Sequence, residues 1–128
     1  MQRRKKSEKS KLIESLDIEW SKKIRGRDGY VCQKCKENGN DMFNQRNHAA
    51  HVFSRGNMST RWDLENGITL CYHHHIHWCH RQPLEFARWC KQRFGEKKYK
   101  ELEEKSLGVY QFTKNDYEKV LSSFGYNL

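Results

Sequence analysis

The hydrophobic positions follow helical periods at both ends of the chain and short runs in the middle. Leu12, Leu16, Trp20 and Ile24 recur every four residues, with Ile13 widening the stripe, which predicts an amphipathic helix from Lys11 to Arg25. Lys22, Lys23, Arg25 and Arg27 gather at its C-terminal end, where cations complement the helix dipole. Gly26 and "DGY" then mark a stop and a turn. Two short strands are expected, from His48 to Ser54 and from Gly67 to Leu70, with the loop "RGNMST" turning the chain between them. "CYHHHIHWCHRQ" reads as a short helix opening just after Cys71, and Pro83 suits the first turn of another. From Leu84 to Phe94, the residues Phe86, Trp89, Cys90 and Phe94 share one helical face. Glu96 to Leu107 reads as a charged helix with Gly108 at its C-cap. Thr113 and Asp116 form a capping-box start, and Tyr117, Val120, Leu121 and Phe124 make an apolar face that Gly125 ends. These aromatic stripes read as core faces. The pattern predicts an α+β fold.

Composition changes this picture in two ways. At 128 residues with 35% hydrophobic positions, the chain makes one domain with a thin core, so an additional staple is expected. The net charge of +9 points to a polyanion partner, with a plain solubility charge as the alternative. The excess is uneven: residues 1–31 hold ten basic and five acidic side chains, whereas residues 32–83 hold six and four. Residues 1–11, with Arg3, Arg4, Lys5 and Lys6, read as a basic flexible arm able to lie along phosphates. No apolar run is long enough to span a bilayer and no secretory leader is visible, so a cytoplasmic location and no membrane partner are expected.

The staple is visible in the cysteines. Cys32 and Cys35 form a C-x2-C pair, and Cys71 and His74 form a C-x2-H pair beyond the expected hairpin. Two such pairs make a tetrahedral Zn²⁺ site of three sulfurs and one nitrogen, whose binding free energy becomes folding free energy. His73 and Cys79 compete with His74 for the fourth position, which spacing gives to His74. A redox dithiol at Cys32 and Cys35 is the alternative, but no thioredoxin-like βαβ pattern surrounds the pair. Cys90 lies among aromatics and reads as a buried thiol. All seven histidines fall between His48 and His80, which no even scatter would produce.

Between the two pairs the chain reads "NHAAHVFSRGNMSTRWDLENGITLCYHHH", which resembles the HNH (His-Asn-His) nuclease family. His51 closes the first strand, Asn66 precedes Cys71 in "NGITLC", and His75 follows the second pair. The segments Ala50 to Arg55, Arg61 to Cys71 and His80 to Pro83 are similar to a phage-associated branch of that family. The resemblance covers about Trp20 to Phe94 and implies a small ββα-metal core within residues 12–94, flanked by the first helix and by a helical extension over residues 95–128. It implies a DNA endonuclease that leaves a 5′-phosphate and a 3′-hydroxyl. His51 would be the general base, Asn66 would orient it, and His75 would ligate a single catalytic divalent metal. Ala50 stands where many members carry a further ligand. His80 is the first candidate to replace it and His48 the second. Five residues separate His75 from His80, about 140° on a regular helix, so they could share an ion only if the helix ends or bends.

Such an imidazole-rich site suits Mn²⁺, Ni²⁺, Co²⁺ or Zn²⁺ better than Mg²⁺. Arg55 and Arg61 flank the same loop and could clamp a phosphate, or pair with Asp63 or Glu65. Trp62 is expected to pack the hairpin on the zinc site. The expected partner is double-stranded DNA read with little sequence specificity. A non-catalytic zinc module that binds DNA or a recombination or packaging partner is the second reading, and a zinc-finger-like RNA binder the third. A binding module has no physical need for His51, Asn66 and His75 at this spacing.

Overall fold

A computed structural model of the chain describes residues 4–127. Helix α1 spans Glu8–Arg27, and Ser7 caps it by accepting the Ser10 N–H at 3.1 Å. The helix thus begins three residues before the predicted start at Lys11, and the expected arm boundary falls inside it. Helix α2, Gln33–Glu37, is a single turn that opens on Cys32. Strands β1, His48–His51, and β2, Gly67–Leu70, pair antiparallel, with His48 opposite Leu70 and His51 opposite Gly67. Helices α3 (Pro83–Phe94), α4 (Glu96–Ser106) and α5 (Lys114–Ser123) complete a small α+β domain. Thr113 and Asp116 form the predicted capping box of α5, and Gly125 takes a positive φ of 81° just beyond it.

The hairpin is a partition between two cores. Successive strand side chains point to opposite faces. Ala50, Ile68 and Leu70 face a cluster with Cys32, Trp78, Phe86, Trp89 and Cys90. Ala49 faces the other, where Leu16, Trp20 and Ile24 of α1 meet Tyr117, Leu121 and Phe124 from α5 and its end. The residues after position 94 therefore complete a core that α1 begins. Trp62 belongs to this second cluster and not to the metal side, a correction of the expected packing. The cause is a hydrogen bond from its indole N–H to Asp17 of α1 at 2.9 Å, which draws the ring to the far face of the hairpin.

Strand β1 ends at His51, three residues before the expected Ser54, because Asn66 takes over the pairing. The Val52 N–H reaches the Asn66 carbonyl and the Phe53 N–H its side-chain oxygen, at 3.1 and 2.7 Å. The outer edge of β2 is covered by α1. The Thr69 N–H donates to Asp28 at 2.9 Å, and Arg27 donates to the Gly67 carbonyl at 2.8 Å. Gly67 lets the helix come this close: a Cβ there would stand 2.6 Å from the Trp20 ring and 2.7 Å from Ile24.

Among the described residues, no helix is long and apolar enough to cross a membrane.

Candidate metal centre and histidine cleft

Cys32, Cys35, Cys71 and His74 converge at the end of the hairpin, with one donor atom from each inside a mutual radius of 4.8 Å. The His74 Nδ1 lies 3.5, 3.4 and 3.3 Å from the sulfurs of Cys32, Cys35 and Cys71. The Cys35 and Cys71 sulfurs are 3.9 Å apart. A tetrahedral ion with zinc-like bond lengths requires about 3.8 Å between sulfurs and about 3.6 Å between sulfur and nitrogen. The four groups thus fit a metal ion as they stand. The backbone builds both halves alike: the Cys35 N–H points at the Cys32 sulfur and the His74 N–H at the Cys71 sulfur, each at 3.5 Å. These N–H groups favour thiolate. Without a cation the cluster resists it: burial and the neighbouring Cys32 and Cys71 sulfurs push the Cys35 thiol up to about 12. Burial first, then the His73 and Lys34 charges, hold His74 below its usual range, so the ring is neutral as a ligand requires.

Cys79 and Cys90 stand apart as free, buried thiols, pushed up to about 11 and 12 mainly by burial. Of the residues competing for the fourth position, Cys79 is in the core and His73 is exposed.

A second gathering of histidines lies at a cleft of about 610 Å³ whose wall draws on both cores, with Trp20 and Ala49 from one and Cys79 and Phe86 from the other. His51, His75, His80 and Arg55 contribute to its wall. The His51 Nε2 lies 2.9 Å from the Arg61 carbonyl, which can only accept, so Nε2 carries the proton and Nδ1 the lone pair. Burial is the largest influence on this ring and lowers its pKa. The Arg61 carbonyl and Asp17 oppose it, the Arg55 and Arg61 charges add to it, and the net shift is below 6.5. His51 is therefore neutral near pH 7, the state in which an imidazole accepts a proton. Asn66 is fully buried and holds the loop beyond His51 at three points. Its amide donates to the Phe53 and Thr60 carbonyls, each at 3.0 Å, and its oxygen accepts the Phe53 N–H.

His48 reaches across to His75, with their Nδ1 atoms 2.9 Å apart. The segment His73–Cys79 is a π-helix, and its i→i+5 bond from the His80 N–H to the His75 carbonyl is 3.1 Å long. This wider turn replaces the 140° separation expected on an α-helix and brings the His75 and His80 rings to 4.5 Å between centroids. Burial, followed by the neighbouring His80, His48 and His51, pushes His75 down to about 4. Among the described residues, the three imidazoles do not close into a three-donor group as the Cys-rich cluster does. His80 is exposed at the cleft mouth.

The arginines divide. Arg55 is two-thirds exposed, with one 3.4 Å contact to Asp17. Arg61 pairs with neither Asp63 nor Glu65. Its guanidinium grips Asp17 with two bonds of 3.0 and 2.7 Å and is nearly covered. Asp63 instead receives Lys105, and Glu65 receives Lys98. Asp17 is the site residue that sequence reasoning missed. The signal was a carboxylate three residues before Trp20, next to an apolar stripe. Burial raises its pKa, but the Arg61 and Trp62 hydrogen bonds and the Arg61 and Arg55 charges outweigh that and leave it below 3.8. Of the expected arm contacts, Arg4 and Lys5 are exposed, Lys6 pairs with Glu14 at 2.7 Å, and Arg3 lies outside the described residues.

Comparison of the chain with protein-family models, with curated proteins and with solved structures gives no match.

Proposed function

We propose that the protein is a metal-dependent DNA endonuclease built on a ββα-metal core and stapled by structural Zn²⁺. The observation that carries this reading is the state of His51. A neutral imidazole with its proton on Nε2 lines a cleft whose wall also carries His75 and His80. General-base hydrolysis needs that arrangement. His51 accepts the proton of a water at Nδ1, and Asn66 keeps the adjoining loop from shifting the ring. Arg55, whose guanidinium is largely exposed, is the group placed to meet a phosphate.

His48, His75 and His80 would hold the catalytic ion, with His75 central because it meets both others. A divalent ion there would supply Lewis-acid stabilisation of the charge developing on the phosphoryl and leaving oxygens. The Cys3His cluster has no open position for substrate, which suits a structural ion. Its fourfold set matches Zn²⁺ by donor type and by separation.

A non-catalytic DNA-binding zinc module is favoured by one observation, the failure of the three imidazoles to converge. Plasmid nicking separates the two readings. In Mn²⁺ or Mg²⁺, the wild-type protein is expected to nick supercoiled DNA. His51→Ala should lose on the order of 10²-fold or more of that rate while retaining its bound zinc. If the wild-type protein nicks in no metal yet shifts DNA in a gel, the binding module is the correct reading.

A further inference from the structure

The imidazole of His51 is stacked by a helix that lies outside the hairpin, and its proton meets a loop that the same helix holds. The Trp20 ring stacks on it with centroids 4.0 Å apart and planes 10° from parallel. Space for that stack exists because the residue opposite His51 in the sheet is Gly67, whose missing Cβ would collide with the same indole. The indole is itself fixed, since its N–H donates to the Asp63 carbonyl at 2.9 Å. One turn earlier on α1, Asp17 binds Arg61 and Trp62. The Arg61 carbonyl is the acceptor for the His51 proton. Two α1 side chains at i and i+3 thus hold residues 61–63, and one of them also covers the ring.

We infer that Trp20 and Asp17 are positioning residues for His51: Trp20 fixes the plane of its ring and Asp17, through Arg61, fixes its tautomer. The inference deepens the reading of His51 as a general base and rests on that reading for its kinetic consequence. A free imidazole exchanges its proton between both nitrogens and rotates, so only a fraction of its orientations presents Nδ1. Stacking and a fixed acceptor remove that averaging before substrate arrives.

The test compares Trp20→Leu, Trp20→Phe and Asp17→Asn by long-range proton–nitrogen correlation spectra of the histidine rings. The wild-type His51 should show one neutral tautomer protonated at Nε2, with its ring protons moved upfield by the stacked indole. Trp20→Leu should lose the upfield shift and mix the tautomers, Trp20→Phe should retain most of both, and Asp17→Asn should mix the tautomers with the shift kept. In nicking assays, Trp20→Leu and Asp17→Asn should lower kcat by up to about 10²-fold with KM unchanged, the scale of a displaced catalytic group. Should Trp20→Leu fail to fold, Asp17→Asn, at a half-buried position, decides alone. Folded variants that keep a single tautomer and the wild-type kcat overturn the inference while leaving the nuclease reading intact. A wild-type protein that never nicks, but whose tautomer responds as described, overturns the nuclease reading and leaves the positioning of His51 supported.

Discussion

The two histidine-bearing centres share a hairpin of four residues per strand, yet they are built on opposite principles. At one, three thiols and an imidazole complete a tetrahedron from the protein's own side chains. At the other, His48, His75 and His80 gather without closing, and the cleft beside them stays open to solvent. A complete ligand shell gives a metal nothing to do but hold the chain, whereas an incomplete one leaves positions for water and substrate. Leu70 of β2 runs directly into Cys71 of the Cys-rich cluster, and β1 carries His48 and His51 at its two ends. Any ion that pins the first centre therefore also pins the register on which the second depends.

The sharpest way to break this comparison is to remove each metal function separately. Cys32→Ser should abolish the fold, because structural zinc in small domains contributes about 10 kcal/mol or more to folding. Circular dichroism and metal content should fall together, and a well-folded Cys32→Ser protein would contradict the staple. His75→Ala should do the opposite, retaining one equivalent of zinc and wild-type ellipticity while nicking falls on the order of 10³-fold. Mn²⁺, Co²⁺ or Ni²⁺ should support the wild-type reaction at least as well as Mg²⁺, given the imidazole donors. Strict dependence on Mg²⁺ would contradict the ligand assignment, as would loss of zinc from His75→Ala.

The two centres also differ in how far the sequence announces them. The Cys-rich cluster follows from local spacing: each pair sits within one turn of chain, and the chemistry admits few alternatives for three thiols and an imidazole. The histidine cleft depends on choices the spacing does not record. "HHHIHWCH" winds with an i→i+5 bond while Trp78 and Cys79 pack into the core, and that winding brings His75 and His80 together, which spacing does not record. Asp17 reaches Arg61 from 44 positions away, a pairing that no local pattern encodes. Trp62 shows the same distance effect, since its partner 45 positions away on α1 goes with the face of the hairpin it joins. Gly67 was legible as part of a motif, but its reason, the approach of Trp20 and Ile24, appears only when α1 is in place.

If the open centre acts on DNA, grip and chemistry should separate along the chain. Removing residues 1–6 deletes Arg3, Arg4, Lys5 and Lys6 and leaves the Ser7 cap of α1 in place. Up to four phosphate contacts would go, so the slope of log affinity against log salt should become shallower by up to about 3–4, at about 0.9 per contact. The Lys6–Glu14 pair holds the result below that ceiling. Fluorescence anisotropy at several salt concentrations measures the slope, and nicking at saturating protein should be unchanged. A truncated protein with the wild-type slope would move the grip to the cleft itself, where Arg55 is the exposed cation.

The smallest expected effect tests how the open centre stays in shape without a closed shell. Its wall is tied by Asp17 to Arg61 and Trp62 rather than by an ion. Asp17→Asn should cost about 1–2 kcal/mol at neutral pH, a charge-assisted contact discounted for the solvent that reaches it. The dependence on pH has a fixed sign. The folded state holds the Asp17 carboxyl below its ordinary 3.8, so it binds that proton less readily than the unfolded chain does. Its contribution is full above 3.8 and is lost as pH falls through the lower folded value. The difference in Tm between wild type and Asp17→Asn should therefore be constant from pH 7 down to about 5 and shrink below 3.8. Protonation of the clustered thiols acts on both proteins equally and cancels in that difference. A gap that widens in acid would mean that Asp17 is not held as the carboxylate, and the wall of the cleft would then need another tie between α1 and the loop that carries Arg61.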